Sequence, residues 1–148
     1  MNVTPFGAKS PTETVVGVSA DANGNLNTKK VWNNEVIKIC DVSTPTSSGG
    51  YCDNVDLSNA GAVSLRVRNS TDQDITLVLY VDFVSSHYRM KDATGADIAI
   101  VIPANTLNVM ITPDDIPQLQ WINKLSLGYL PDADATSGSI VIYAVIKR

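Results

Sequence analysis

Charge is scarce in this chain. Only 18% of its 148 residues are Asp, Glu, Lys or Arg, against roughly 25% in ordinary soluble domains, so part of the surface is expected to be covered by something. The 11 basic residues are outnumbered by 15 acidic ones, for a net charge of −4. Apart from Lys29-Lys30 and the alternating Arg66 and Arg68, the basic residues do not cluster. That argues against a nucleic-acid partner, because holding a phosphate backbone depends on grouped Lys and Arg side chains. Long apolar runs are missing as well. The longest, Ile140 to Ile146, is about a third of what an α-helical span of a bilayer needs, so no membrane crossing is expected. Helical periodicity is also lacking: no i, i+3, i+4, i+7 window extends past two turns.

Other scarcities bear on chemistry. His87 is the single histidine, so a Ser-His-Asp hydrolase would have to use it. Its neighbours Ser85 and Ser86 share its local stretch, and no G-x-S-x-G elbow is present. Two acids of a glycosidase must face each other about 5–9 Å apart, and Asp114-Asp115 and the pair Asp132 and Asp134 are merely near in sequence. Ser48-Gly49-Gly50 is followed by neither Lys nor a helix, which excludes a phosphate-cradling loop. The expectation is a protein that is not an enzyme and needs no cofactor.

The two cysteines, Cys40 and Cys52, flank a segment containing Thr44-Pro-Thr-Ser-Ser-Gly-Gly50. They lack C-x-x-C spacing and four nearby ligands, which disfavours redox catalysis and zinc alike. A disulfide there would contribute about 3 kcal/mol, in an oxidising compartment only. The amino end, Met1 to Ser10, has no basic cap followed by an apolar stretch, so free thiols in a reducing cytoplasm are the expectation. The sequons Asn2-Val-Thr4 and Asn69-Ser-Thr71 would matter only in a secretory pathway.

What is present reads as strands. Residues 1–13 are rich in Pro, Thr, Gly and Ser without a period, and predict an extended arm that a neighbour must order. Strands follow at 14–19 and 26–32, joined through Asn23-Gly24, which suits a tight hairpin turn. A third is expected at 35–41. In 62–69, Val63, Leu65 and Val67 alternate with Ser64, Arg66 and Arg68, one set for a core and the other for water. In 74–84 one face carries Ile75, Leu77, Leu79, Val81 and Phe83, while the mixed opposite face is expected to be partly covered. Further strands are predicted at 87–91, 97–102, 106–112, 125–130 and 139–147, with at most one helical turn between Pro113 and Pro117. The last strand is apolar on both faces, with Ile140, Ile142, Ala144 and Ile146 opposite Val141, Tyr143 and Val145. That places it centrally in a sheet or at a subunit interface.

Short strands with turn signals about every 8–12 residues indicate an all-β fold, a two-sheet antiparallel sandwich of jelly-roll type. Trp32 precedes both cysteines, unlike the Cys-Trp-Cys order of antibody domains. The expected organisation is an arm, 1–13, and a single sandwich domain, 14–148. Within it, Pro131-Asp-Ala-Asp-Ala-Thr-Ser-Gly138 offers oxygen ligands at alternate positions, with Asp132 and Asp134 as calcium candidates. It lacks the spaced acidic partner of an EF-hand and otherwise reads as a solvated turn. Trp32, Tyr51, Tyr88, Trp121 and Tyr129 could line a sugar platform, although packing is the commoner fate of such rings.

The arm, the stretch Val18-Ser-Ala-Asp-Ala-Asn-Gly-Asn-Leu-Asn-Thr28 and the low-charge β-domain ending at a strand together resemble small structural proteins of tailed bacteriophage virions. Their style is that of the decoration, or cement, proteins of the head. The resemblance lies in organisation and carries over no residue. It implies a homo-oligomer, a trimer by preference, on the capsid surface of a virion assembled in the host cytoplasm, with the major capsid protein or another virion protein as partner. The residues expected to meet partners are Val3, Pro5 and Phe6 in the arm and Val141, Tyr143 and Val145 in the last strand. The alternative is a carbohydrate-binding or adhesin-like module on the same kind of fold.

Overall fold

A computed structural model describes residues 8–9, 15–16, 18–20, 26–28, 33–83 and 86–148. Val3, Pro5, Phe6, the Asn23-Gly24 turn, Trp32 and Ser85 lie outside them. The chain divides into two compact units, Met1–Asn33 and Asn34–Arg148.

In the first unit β1 (Ala8–Lys9) pairs antiparallel with β2 (Val15–Val16). Next, β3 (Val18–Ala20) pairs antiparallel with β4 (Leu26–Thr28), Val18 opposite Thr28 and Ala20 opposite Leu26. Residues 21–25, which hold the expected Asn23-Gly24 turn, fall between these two strands and outside the described residues.

The second unit contains β5 (Asn34–Ser43), β6 (Gly50–Tyr51), β7 (Val55–Asp56), β8 (Ala62–Asn69), β9 (Ile75–Phe83), β10 (Ser86–Arg89), β11 (Ala99–Ile102), β12 (Thr106–Ile111), β13 (Lys124–Leu125), β14 (Leu127–Pro131) and β15 (Ser139–Lys147). The regular structure among the described residues is nearly all strand, and every pairing is antiparallel. One sheet runs β12-β8-β15-β5; a second runs β10-β9-β14-β6, with β11 also on β9. β13 and β7 form a separate pair. Among the described residues the helical element is one 3-10 turn, η1 (Pro117–Gln120), which begins where Pro117 presets the backbone angle.

Alternation explains the core. Val63, Leu65 and Val67 of β8 and Ile140, Ile142, Ala144 and Ile146 of β15 are fully buried. They join Ile75, Leu77, Leu79, Leu127 and Tyr129 of the second sheet in one hydrophobic cluster. The second face of β9 is also covered in part, since Val78 and Tyr80 are buried. The cause is Gly128, directly opposite Val78. A Cβ there would stand 2.6 Å from the Tyr80 ring, so the missing side chain lets that ring lie down on the sheet.

Two expected strands are cut short. The 125–130 strand is interrupted at Ser126, whose carbonyl accepts a hydrogen bond from the Tyr80 amide at 2.9 Å. The 97–102 strand is regular only from Ala99, since the Ile98 amide bonds the Met90 carbonyl and its carbonyl accepts from the Leu79 amide. Conversely, β6 and β7 arise in a stretch too short and polar to show a period. They exist because partner strands accept them, Tyr51 opposite Gly128 and Val55 opposite Leu125.

Candidate interaction surface

The outward face of the β12-β8-β15-β5 sheet collects apolar side chains that the core does not use. Register places Lys38, Tyr143, Arg66 and Met110 in one row across four strands, Val36, Val145 and Ser64 in a second, and Asp41, Val141 and Arg68 in a third. Val141, Tyr143 and Val145 are each half-buried along the middle of this face. Around them Val36 is 61%, Leu107 61% and Met110 50% exposed. A cleft of about 290 Å³ opens among Asp41, Arg66, Arg68, Leu107, Val141 and Tyr143. Large apolar side chains sharing one exposed face, rimmed by charge, are the composition of a protein contact.

Two backbone irregularities shape this face. Between Ile142 and Tyr143 the partner strand skips a residue, so that Cys40 and Lys38 are the paired positions and Ile39 is extra. The bulge turns two consecutive residues, Ile39 and Cys40, inward and leaves Lys38 and Asp41 both exposed, joined by an ion pair of 2.7 Å. In a regular strand, residues three apart point to opposite faces. That carboxylate raises the pKa of Lys38 through hydrogen bonding and charge attraction. Likewise, an irregularity between Thr106 and Val109 leaves Leu107 and Asn108 exposed in succession, and Asn108 accepts a hydrogen bond from Arg66 Nε at 3.1 Å.

A second patch is aromatic. His87 stacks on Tyr51 with ring centroids 4.6 Å apart and an interplanar angle of 30°. Tyr80 meets the edge of Tyr51 at 5.2 Å. The histidine thus packs on rings. Tyr51 and Tyr88 are each 58% exposed and Trp121, just past η1, is 68% exposed beside a cleft of about 340 Å³ that includes Met90, Ile122, Asn123 and Lys124. Tyr129, a platform candidate by sequence, is instead a core residue at 9% exposure, and burial raises its pKa.

The acidic loops hold the chain together. Asp134 accepts from the Ser47 amide at 2.7 Å and its hydroxyl at 2.8 Å, bonds that lower its pKa. Asp72 accepts from the Thr136 amide and hydroxyl at 3.0 and 2.6 Å, while the Asp132 amide donates to the Asp74 carbonyl. Asp132 and Asp134 are not brought together with a third ligand: among the described residues no group of three or more His, Cys, Asp or Glu is placed to hold a metal. Asp115 accepts from the Thr112 amide at 2.8 Å and hydroxyl at 3.2 Å, a turn contact rather than half of a facing pair.

The structure also reveals a residue whose role sequence reasoning missed. Asn69 is fully buried. Its amide nitrogen lies within hydrogen-bond distance of the carbonyls of Gln73, Ile102 and Pro103, at 2.9, 3.1 and 3.0 Å. Its oxygen accepts from the Thr71 amide at 3.1 Å and hydroxyl at 2.7 Å. The sequon at 69–71 is therefore an internal knot, with no amide free to carry a sugar. The signal was available, because Asn69 continues the inward series Val63, Leu65, Val67. A polar residue in that phase must find partners.

Among the described residues no helix is long and apolar enough to cross a membrane. No family model matches the chain, and no curated protein matches it. A solved structure described as the crystal structure of SPBc2 prophage-derived protein YomS is similar, with a TM-score of 0.50 and 4% sequence identity. The match covers 81% of this chain and 97% of that one. At that identity the similarity is one of fold.

Proposed function

We propose that this chain is a non-enzymatic structural protein of a phage virion, a decoration or cement protein that binds the outer surface of the head and stabilises it through contacts between subunits. The observation that carries the reading is the outward face of β15, where Val141, Tyr143 and Val145 form a half-buried apolar line among exposed Val36, Leu107 and Met110. The fold it shares with a prophage-derived protein supports a phage setting. In this reading the two sheets stack as a sandwich of jelly-roll type, for which the common hydrophobic cluster speaks. The partner is a capsid or other virion protein, the chain forms a homo-oligomer, a trimer by preference, and residues 1–13 reach onto a neighbour. Repetition by symmetry makes modest contacts tight.

The test is co-sedimentation with phage heads together with sedimentation of the chain alone. Tyr143→Ala is expected to weaken binding or assembly about tenfold or more, as loss of a central aromatic contact does, while the melting temperature moves by a few degrees at most. A wild-type chain that stays monomeric and leaves heads untouched would end the proposal.

A second reading, a carbohydrate-binding module, draws on the exposed ring of Trp121 and the cleft beside it. Glycan-array binding that falls about tenfold or more in Trp121→Ala, the size of a lost stacking contact, is the expected result under that reading. An array without signal for the wild type removes it.

A further inference from the structure

We infer that Cys40 and Cys52 form an oxidative cross-linking site, two thiols held in contact in the folded protein and converted to a disulfide by a low-molecular-weight disulfide such as oxidised glutathione. This goes beyond the virion reading and does not depend on it.

Both side chains are buried, at 6% and 7% exposure, both are free thiols, and one side-chain hydrogen bond, from Cys52 to Cys40, joins them. Their contact is enforced by the backbone rather than left to a flexible loop. The Cys52 amide donates to the Leu127 carbonyl of one sheet at 2.8 Å. The next amide, Asp53, donates to the Ile39 carbonyl of the other sheet, also at 2.8 Å. Ile39 is the extra residue of the β5 bulge, so the same irregularity that turns Cys40 inward supplies the carbonyl that fixes the chain beside Cys52. The pair therefore sits where the chain passes between the two sheets, and a covalent bond there would staple one to the other.

Access and reactivity are also provided. Cys40 borders a surface cleft of about 280 Å³ with Tyr51 and Asp53. The hydrogen bond from Cys52 eases ionisation of Cys40, whereas Cys52 is held far above the usual thiol range by that bond and by burial. Cys40, the thiol of the pair that borders the cleft, is the first nucleophile. Its thiolate attacks one sulfur of the reagent, expelling a thiolate and leaving a mixed disulfide. Cys52 then gives up its proton to solvent and attacks Cys40 Sγ, and the second reagent thiolate leaves. Two protein thiols are oxidised, one reagent disulfide is reduced to two thiols, and no other redox partner is needed.

The experiment treats native wild-type protein with glutathione buffers rich in the oxidised or the reduced form. Alkylation of remaining thiols, intact mass, non-reducing peptide mapping and a thermal melt follow. The expected result in the oxidised buffer is a loss of two hydrogens, a single linked pair Cys40–Cys52, and a melting temperature higher by about 8 °C, reversed by reductant. Cys52→Ala is expected to stop at a glutathione adduct on Cys40 with no rise. Cys40→Ala, which keeps only the buried Cys52 away from the cleft, is expected to take up no glutathione and to melt no higher in the oxidised buffer. Native protein whose two thiols stay open to alkylation, or keep glutathione without resolving it, overturns the inference. So does a cross-link that leaves the melt unchanged.

Discussion

Replacing Asn69 with Ala will cost about 3–5 kcal/mol of stability, a large part of the margin of a domain of ordinary stability. The residue is fully buried at the end of β8. Its amide serves the carbonyls of Gln73, Ile102 and Pro103 from one side and the Thr71 amide and hydroxyl from the other. Alanine removes these partners at once, so several buried backbone groups lose their bonds while keeping their desolvation cost. Because Ile102 ends β11, the loss also loosens the connection from β8 across to the second sheet. Urea unfolding monitored by tryptophan fluorescence measures it, and a variant within about 1 kcal/mol of wild type would refute this account of the knot.

Asn69→Asp separates geometry from charge. The new carboxyl would face the three carbonyl oxygens in the interior, which disfavours its ionised form and raises its folded pKa above the unfolded value of about 3.9. Below that value both states are protonated and the charge adds nothing. As pH rises from there toward the folded pKa, only the unfolded state releases its proton, so stability falls. The variant is expected to be markedly more stable relative to wild type at about pH 4 than at about pH 7.

Gly138→Ala is the second large effect. Gly138 has a φ of +80°, and a Cβ there would stand 2.0 Å from the Ser70 carbonyl oxygen, 2.4 Å from its carbon and 2.7 Å from the Thr71 nitrogen. All three are backbone atoms and cannot rotate away. They belong to the turn that Asn69 and Thr71 tie down. The turn is held to β15 as well, since the Ser70 amide donates to the Ser139 carbonyl and the Gly138 carbonyl accepts from the Thr44 amide. A methyl group must therefore break this junction, at an expected cost of about 3 kcal/mol or more and a melting temperature lower by about 8 °C or more. Gly95→Ala is the internal control. Gly95 also has positive φ, +86°, but a Cβ there meets nothing within 4 Å, so only the conformational cost of about 1 kcal/mol remains. Equal losses at the two sites would show that φ, not the close approach of Ser70, sets the effect.

The same contrast runs through the whole chain. The alternation of Val63, Leu65 and Val67 with Ser64, Arg66 and Arg68, and of Ile140, Ile142, Ala144 and Ile146 with Val141, Tyr143 and Val145, was sufficient to specify strands, their inward faces and the two-sided character of β15. A period of two is a local property that each strand carries in its own side chains. Asn69 was legible in the same way, by its phase. Nothing local reveals that β6 and β7 are strands, that Gly128 makes room for Tyr80, that His87 stacks on Tyr51, or that a bulge at Ile39 carries Cys40 to Cys52. Each of these depends on which strands become neighbours and in which register, and those choices are made only when separate segments compete to bury their apolar faces together.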